Sequence, residues 1–138
     1  MTVPVERRTE SKFEIMTKAN ELAKYTVKIC SNEKNFPKRY RWCITYQIVE
    51  NAVEINCDIN RANAIYVKTK ADWKQRRAYQ KKAQADIAAL ITLLDIAKCT
   101  FNINGKRMYY WCGLINDVRT KLKAWTESDE KRYSDLPD

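Results

Sequence analysis

Apolar residues recur at alternating steps of three and four along four long stretches of this chain, the spacing of one buried helical face. In the first stretch Ile15, Ala19, Leu22, Thr26 and Ile29 share a line, widened by Phe13, Met16, Ala23 and Cys30. Ser11 stands three residues before Glu14, a capping-box pattern in which each side chain satisfies a free amide near the other. The spacing therefore predicts a helix opening at Ser11 and closing near Ser31-Asn32. Phe36-Pro37 starts the second, because proline in a first turn has its φ preset and gives up no needed donor. Tyr40, Ile44, Ile48, Ala52, Ile55, Ile59 and Ala62 follow at helical steps, with the helix continuing to Tyr66 or Val67. The third line is Ala83, Ile87, Leu90, Leu94, Ala97 and Phe101; followed backwards it meets Gln80, Arg76 and Trp73. Its trailing half thus reads as core, and its leading half as basic with Trp73 as apolar anchor. After the turn signal Asn104-Gly105, the fourth line runs Met108, Trp111, Ile115, Val118, Leu122 and Trp125.

Residues 1–10 and 127–138 are polar and carry no stripe, so they read as a flexible N-terminal arm and a disordered C-terminal tail. That leaves 11–126 for the fold. Four amphipathic helices with short links predict an all-α, antiparallel, up-down-up-down four-helix bundle, since short links force neighbours to run in opposite directions.

Composition narrows the chemistry. Only two Gly and three Pro occur in 138 residues, which suits long helices and few tight turns. There is no His, which removes the commonest general base and metal ligand. The five cysteines (Cys30, Cys43, Cys57, Cys99, Cys112) form no CxxC pair and fall near the apolar lines. They read as reduced core residues, not as a zinc site or a disulfide framework. Glu50, Glu54 and Asp58 stack on the second helix, but a bundle di-metal site also needs histidines from facing helices. The stack reads instead as a salt-bridging face toward a basic neighbour. No phosphate loop, nucleophile elbow or cofactor motif is present, so an enzyme or a cofactor is not expected. No run of about eighteen apolar residues and no signal-peptide core occur, which points to a cytoplasmic protein without a membrane segment.

Charge adds the one feature that asks for a partner. Lys68, Lys70, Lys74, Arg76, Arg77, Lys81 and Lys82 stand against a single acid, Asp72, in one short stretch, contributing +6 of the chain's net +9. Lys70, Lys74, Arg77 and Lys81 share a helical face, and like charges at that spacing weaken an isolated helix by about 0.2–0.5 kcal/mol per pair. One reading is a solvated helix face; the other is an anion-binding surface for nucleic acid, which holds phosphates without reading sequence. Arg119, Lys121 and Lys123 make the late fourth helix basic too, and an antiparallel neighbour would bring Lys121 and Lys123 toward Lys81-Lys82. A bundle whose basic face meets an acidic protein is the alternative from another class.

The segment FPKRY followed by YQIVENAVEINCDINRAN resembles the signature region of small bacterial four-helix-bundle proteins, through Phe36-Pro37-Lys38, Tyr40, Gln47, Ala52, Ile55 and Ile59. That group includes proteins encoded in rRNA intervening sequences and the accessory variability determinant (Avd) proteins of diversity-generating retroelements. The group's Asn-Ile-Ala-Glu-Gly ending is here Asp58-Ile59-Asn60-Arg61-Ala62, a departure from the rRNA-associated branch. The remainder of the chain is similar to a divergent Avd-type branch. The resemblance implies a bacterial or phage-encoded basic bundle that forms a homopentamer. It also implies binding to the retroelement reverse transcriptase and its template RNA or cDNA, in support of mutagenic retrohoming. Five such chains would gather about +45 formal charges, enough for strongly salt-dependent phosphate binding. No catalytic residue carries over.

Overall fold

The structure, a computed structural model, describes residues 5–138, with side chains from residue 14 onward. The described residues are helical with no strand: α1 (Val5–Cys30), α2 (Tyr46–Ala64), α3 (Lys70–Thr100) and α4 (Gly105–Tyr133). Of the expected N-terminal arm, residues 1–4 lie outside the described residues. From Val5 the backbone is already α1, so the Ser11–Glu14 pattern falls inside that helix. Residues 5–10 read VERRTE, and Glu and Arg are strong helix formers with or without a stripe.

Pro37 does open the second helical segment, but its first two turns are not α. A 3-10 turn (Lys38–Tyr40) leads into one π-helical turn (Arg41–Thr45) before α2 proper begins. The basic stretch is capped more firmly than its composition suggests. The Thr69 hydroxyl accepts from the Asp72 amide at 3.2 Å, and the Asp72 carboxylate accepts from the Thr69 amide at 3.1 Å. This reciprocal box satisfies two amides at the start of α3.

Each helix packs on two neighbours: α1 on α2 and α4, α3 on α2 and α4. The predicted lines meet inside. Ile15, Ala19 and Leu22 of α1 face Ile48, Ala52, Ile55 and Ile59 of α2, Ile87 and Leu90 of α3, and Val118 and Leu122 of α4, all essentially without solvent contact. Polar contacts join opposite helix ends. Late α1 meets early α4 where the Trp111 indole donates to the Thr26 hydroxyl at 2.9 Å. Late α2 meets early α3 where Arg76 donates to the Ala62 carbonyl at 3.1 Å. At one end Phe36, Tyr40, Phe101 and Trp111 stack edge to face, with centroids 5.1–6.0 Å apart, the separations aromatic pairs prefer.

Two expectations are corrected here. Residues 127–133 are not a free tail: α4 runs to Tyr133, Asp129 is fully buried, and the Lys70 amide donates to the Pro137 carbonyl at 3.0 Å. The cysteines are not all core residues either. Cys30 is buried, and burial pushes its thiol up to about 12. Cys57 is half-buried, and Cys43, Cys99 and Cys112 are exposed. Cys43 and Cys112 each sit one residue from the buried line, which is about 100° around the helix.

Candidate nucleic-acid interface

The leading half of α3 carries its basic residues on two different faces. Lys70, Lys74, Arg77 and Lys81 line the outward one; Lys74 and Lys81 are exposed, while Lys70 and Arg77 are half-buried. Among the described residues, none of these four makes an ion pair, nor does Lys68. Aromatic rings hold two of the cations in place. The Arg77 guanidinium lies 5.3 Å from the Trp73 ring centre, and the Lys68 ammonium lies 5.5 Å from that of Tyr66. Such contacts fix a long side chain without neutralising it, so the charge remains available to an anion.

Arg76 does not belong to this surface. Only 4% exposed, it points between the helices. Its Nε donates to the Ala62 carbonyl at 3.1 Å and its Nη2 to the Ile65 carbonyl at 2.6 Å, which closes the C-terminal end of α2. Its Nη1 donates to Asp129 at 3.3 Å, and Gln80 donates to the same carboxylate oxygen at 3.0 Å. The guanidinium also lies 5.9 Å from the Trp125 ring centre and 5.7 Å from that of Tyr133. It braces α2, α3 and late α4 together, and its burial keeps it from a phosphate in solvent.

Lys82 turns toward α2 instead of outward. Its ammonium meets Asp58 at 2.9 Å, Asp86 at 3.1 Å and Glu54 at 3.5 Å, while Arg61 meets Asp58 at 2.7 Å and Glu54 at 3.2 Å. This is the salt-bridging face the carboxylate stack suggested, with Lys82 as the basic neighbour. Burial alone would raise the Asp58 carboxyl. Hydrogen bonds from Lys82, Asp86 and Arg61 outweigh it and hold Asp58 below its ordinary value of 3.8. Asp86 moves the other way: burial, and then the neighbouring Asp58, raise it above that value despite Lys82.

The two shifts have opposite consequences on acidification. The raised Asp86 stabilises the fold below its unfolded value, and that contribution is lost as pH rises through its folded value. The lowered Asp58 stabilises above its unfolded value, and its contribution is lost as pH falls through its folded value. From neutral pH downward, stability should therefore hold or rise while Asp86 takes its proton, then fall only when Asp58 is protonated below 3.8. Asp58→Ala should cost about 1–2 kcal/mol at neutral pH, the low end for a charged hydrogen bond because Lys82 and Arg61 are half in solvent. Thermal melts across the acid range check both statements; an Asp58→Asn protein with the wild-type acid limb would contradict them.

On α4 the basic residues disperse. Lys121 faces α1 and meets Glu14 at 3.6 Å, so it does not extend the α3 stripe toward Lys81-Lys82. Arg119 donates to Asn116 at 2.8 Å beside a groove of about 400 Å³ between α3 and α4, whose walls include Ile91, Leu94, Met108 and Cys112. Lys123 is exposed. Of the ten basic residues singled out from sequence, Lys68, Lys70, Lys74, Arg77 and Lys81 thus come together as one cationic strip without an ion pair among the described residues. Arg76 and Lys82 serve the fold, and Arg119, Lys121 and Lys123 lie apart. Among the described residues, no cluster of carboxylate and thiol side chains is placed to hold a metal ion, and no helix is long and apolar enough to cross a membrane.

No protein-family model matches this chain, and no curated protein or solved structure is detectably similar to it.

Proposed function

We propose that this chain is a non-enzymatic, nucleic-acid-binding accessory protein of the Avd type. It binds the reverse transcriptase and the template RNA of a diversity-generating retroelement and supports mutagenic cDNA synthesis. The observation that carries the reading is the strip of Lys70, Lys74, Arg77 and Lys81, without an ion pair among the described residues on an outward helix face, while Lys82 and Arg76 are occupied by carboxylates. Four aligned cations that repel one another cost the helix stability; a polyanion laid along them reverses that cost. The resemblance in the Phe36–Ala62 region names the system. An antiparallel up-down-up-down course is part of the same proposal, supported by the pairing of opposite helix ends at Trp111–Thr26, Arg76–Ala62 and Arg76–Asp129. So is self-association as a homopentamer. The exposed Ile91 and Ile96 and the apolar groove between α3 and α4 give a second copy something to cover.

Binding to single-stranded RNA measured against salt tests the reading. Four neutralised phosphates give a slope of log K against log salt of about −3 for a single strand. Lys74→Glu with Lys81→Glu should flatten that slope by about 1.4, whereas Lys121→Glu with Lys123→Glu should change it less. Absence of RNA binding at low salt would sink the proposal. Light scattering with and without RNA reads the oligomer.

A further inference from the structure

The opposite end of the molecule carries a second surface with a different chemistry. Trp42 is 77% exposed and Tyr46, one turn on, is 52% exposed; their rings lie 5.8 Å apart, tilted by 44°. Trp73, Trp111 and Trp125 are all buried, so Trp42 is the exception among the four. Trp42 lies in the π-helical turn Arg41–Thr45, two residues from Ile44 and so on the side away from the core. A π turn holds more residues than an α turn, and here Ile44 and Thr45 lie inward while Trp42 stands out in solvent.

Beneath the two rings lies a groove of about 350 Å³ against the end of α1, with Val27, Cys30, Phe36 and Thr45 among its lining. Thr45 is buried, and its hydroxyl has no hydrogen-bond partner. Thr26 and Thr126 bond the carbonyl one turn back at 2.8 Å. Thr45, at the end of the π turn, does not. A buried hydroxyl without a partner costs free energy that a ligand can recover. The rim carries a cation, Arg41, which lines the groove. The one acid there, Glu33, is answered by Lys38 at 3.3 Å.

We propose that this groove receives an unstacked base of a single-stranded nucleic acid, stacked on Trp42 and Tyr46. Its edge bonds to the Thr45 hydroxyl, and a flanking phosphate lies on Arg41. Aromatic platforms beside cations are how proteins hold single strands without regard to sequence. The site rests on the RNA-binding function proposed above and adds a second anchor at the far end from the α3 strip. A duplex, whose bases are already stacked, cannot use it.

The test is a titration of the full-length protein with a short oligouridylate and with a blunt RNA duplex of equal length. The oligouridylate should quench the emission of Trp42. Trp42→Ala should weaken single-strand binding about tenfold and leave duplex binding and the salt slope unchanged, while Trp42→Phe retains most of the affinity and loses the quench. Thr45→Val should weaken single-strand binding a few-fold without lowering the melting temperature, since it removes an unbonded hydroxyl. Wild-type single-strand affinity in Trp42→Ala, with the protein folded, would overturn the proposal. So would a Trp42→Ala protein that loses only its hold on the reverse transcriptase, which would make the patch a protein surface. Failure of the wild-type protein to bind RNA at all would instead overturn the function on which this site rests.

Discussion

Arg76→Ala is expected to destabilise the fold by about 3–5 kcal/mol, the cost of removing one partner from a buried charge pair. For a chain of this size that lowers the melting temperature by roughly 10 °C or more. Three losses coincide. Asp129 stays buried with only Gln80 donating to it, and the Ala62 and Ile65 carbonyls at the end of α2 lose their donors. The platform between Trp125 and Tyr133 also empties. Arg76→Lys should recover little, because an ammonium cannot span two carbonyls and a carboxylate as a planar fork does. Asp129→Asn leaves the Arg76 charge buried without its carboxylate, but should be milder, since the guanidinium keeps the Ala62 and Ile65 carbonyls as acceptors. A paired Arg76→Met and Asp129→Leu replacement should regain part of the stability, because it leaves no stranded charge, while the Ala62 and Ile65 carbonyls stay without donors. A phosphate-binding surface arginine behaves in the opposite way, with stability within about 0.5 kcal/mol of wild type and a loss of RNA affinity. Chemical denaturation with RNA binding on the same protein separates the two roles. Limited proteolysis should show residues 127–133 opening first in Arg76→Ala, because the brace is what holds them.

The four apolar lines were legible because burial in this fold is mostly aliphatic, and aliphatic spacing is what a period of three and four detects. Where a line continues in polar residues, spacing alone does not show that they are buried. Trp73, Arg76, Gln80 and Ala83 follow one another at steps of three, four and three, and all four are buried. On α4 the step of four from Trp125 lands on Asp129, also buried. Each chain segment carried half of a buried ion pair on its own core line, and neither half announces itself alone. An arginine in a basic stretch reads as surface; an aspartate in a polar tail reads as solvent. Taken together, a basic and an acidic residue on the inward lines of two packed helices were the available signal. The cationic strip was legible for the reverse reason, since Lys70, Lys74, Arg77 and Lys81 are defined by charge at helical spacing and nothing buried interrupts them. The π turn was not legible. Its residues fit an α pattern equally well, with Trp42 off the Tyr40–Ile44 line in either case, and only the structure reveals the π turn and the unpartnered, buried Thr45.

Trp111→Ala should cost about as much as Arg76→Ala, about 3–5 kcal/mol, by a different route. The Trp111 ring is fully buried, touches Phe36 and Tyr25 edge-on, and donates its indole N–H to Thr26. Trp111→Phe keeps an aromatic body and orphans no donor, because the Thr26 hydroxyl still donates to the Leu22 carbonyl; it should be the gentler change. Thr26→Val is nearly the same size as the native residue yet leaves the buried indole N–H without an acceptor, at about 1–3 kcal/mol. Thr26→Val and Trp111→Phe together should therefore cost less than the sum of the two, since once the indole is gone the missing hydroxyl no longer strands it. Thermal and urea denaturation of the four proteins closes that cycle; strict additivity would mean that the bond between α1 and α4 contributes nothing. The position of Trp111 extends the expectation to function. It packs beneath the end of α1 that forms one wall of the groove under Trp42, and it lies far along the bundle from Lys74 and Lys81. At a temperature where the protein is still folded, Trp111→Ala should loosen that groove and weaken binding to a single strand. The salt dependence contributed by the α3 strip should stay as it was. A parallel loss of both would mean that the two ends do not act as separate anchors.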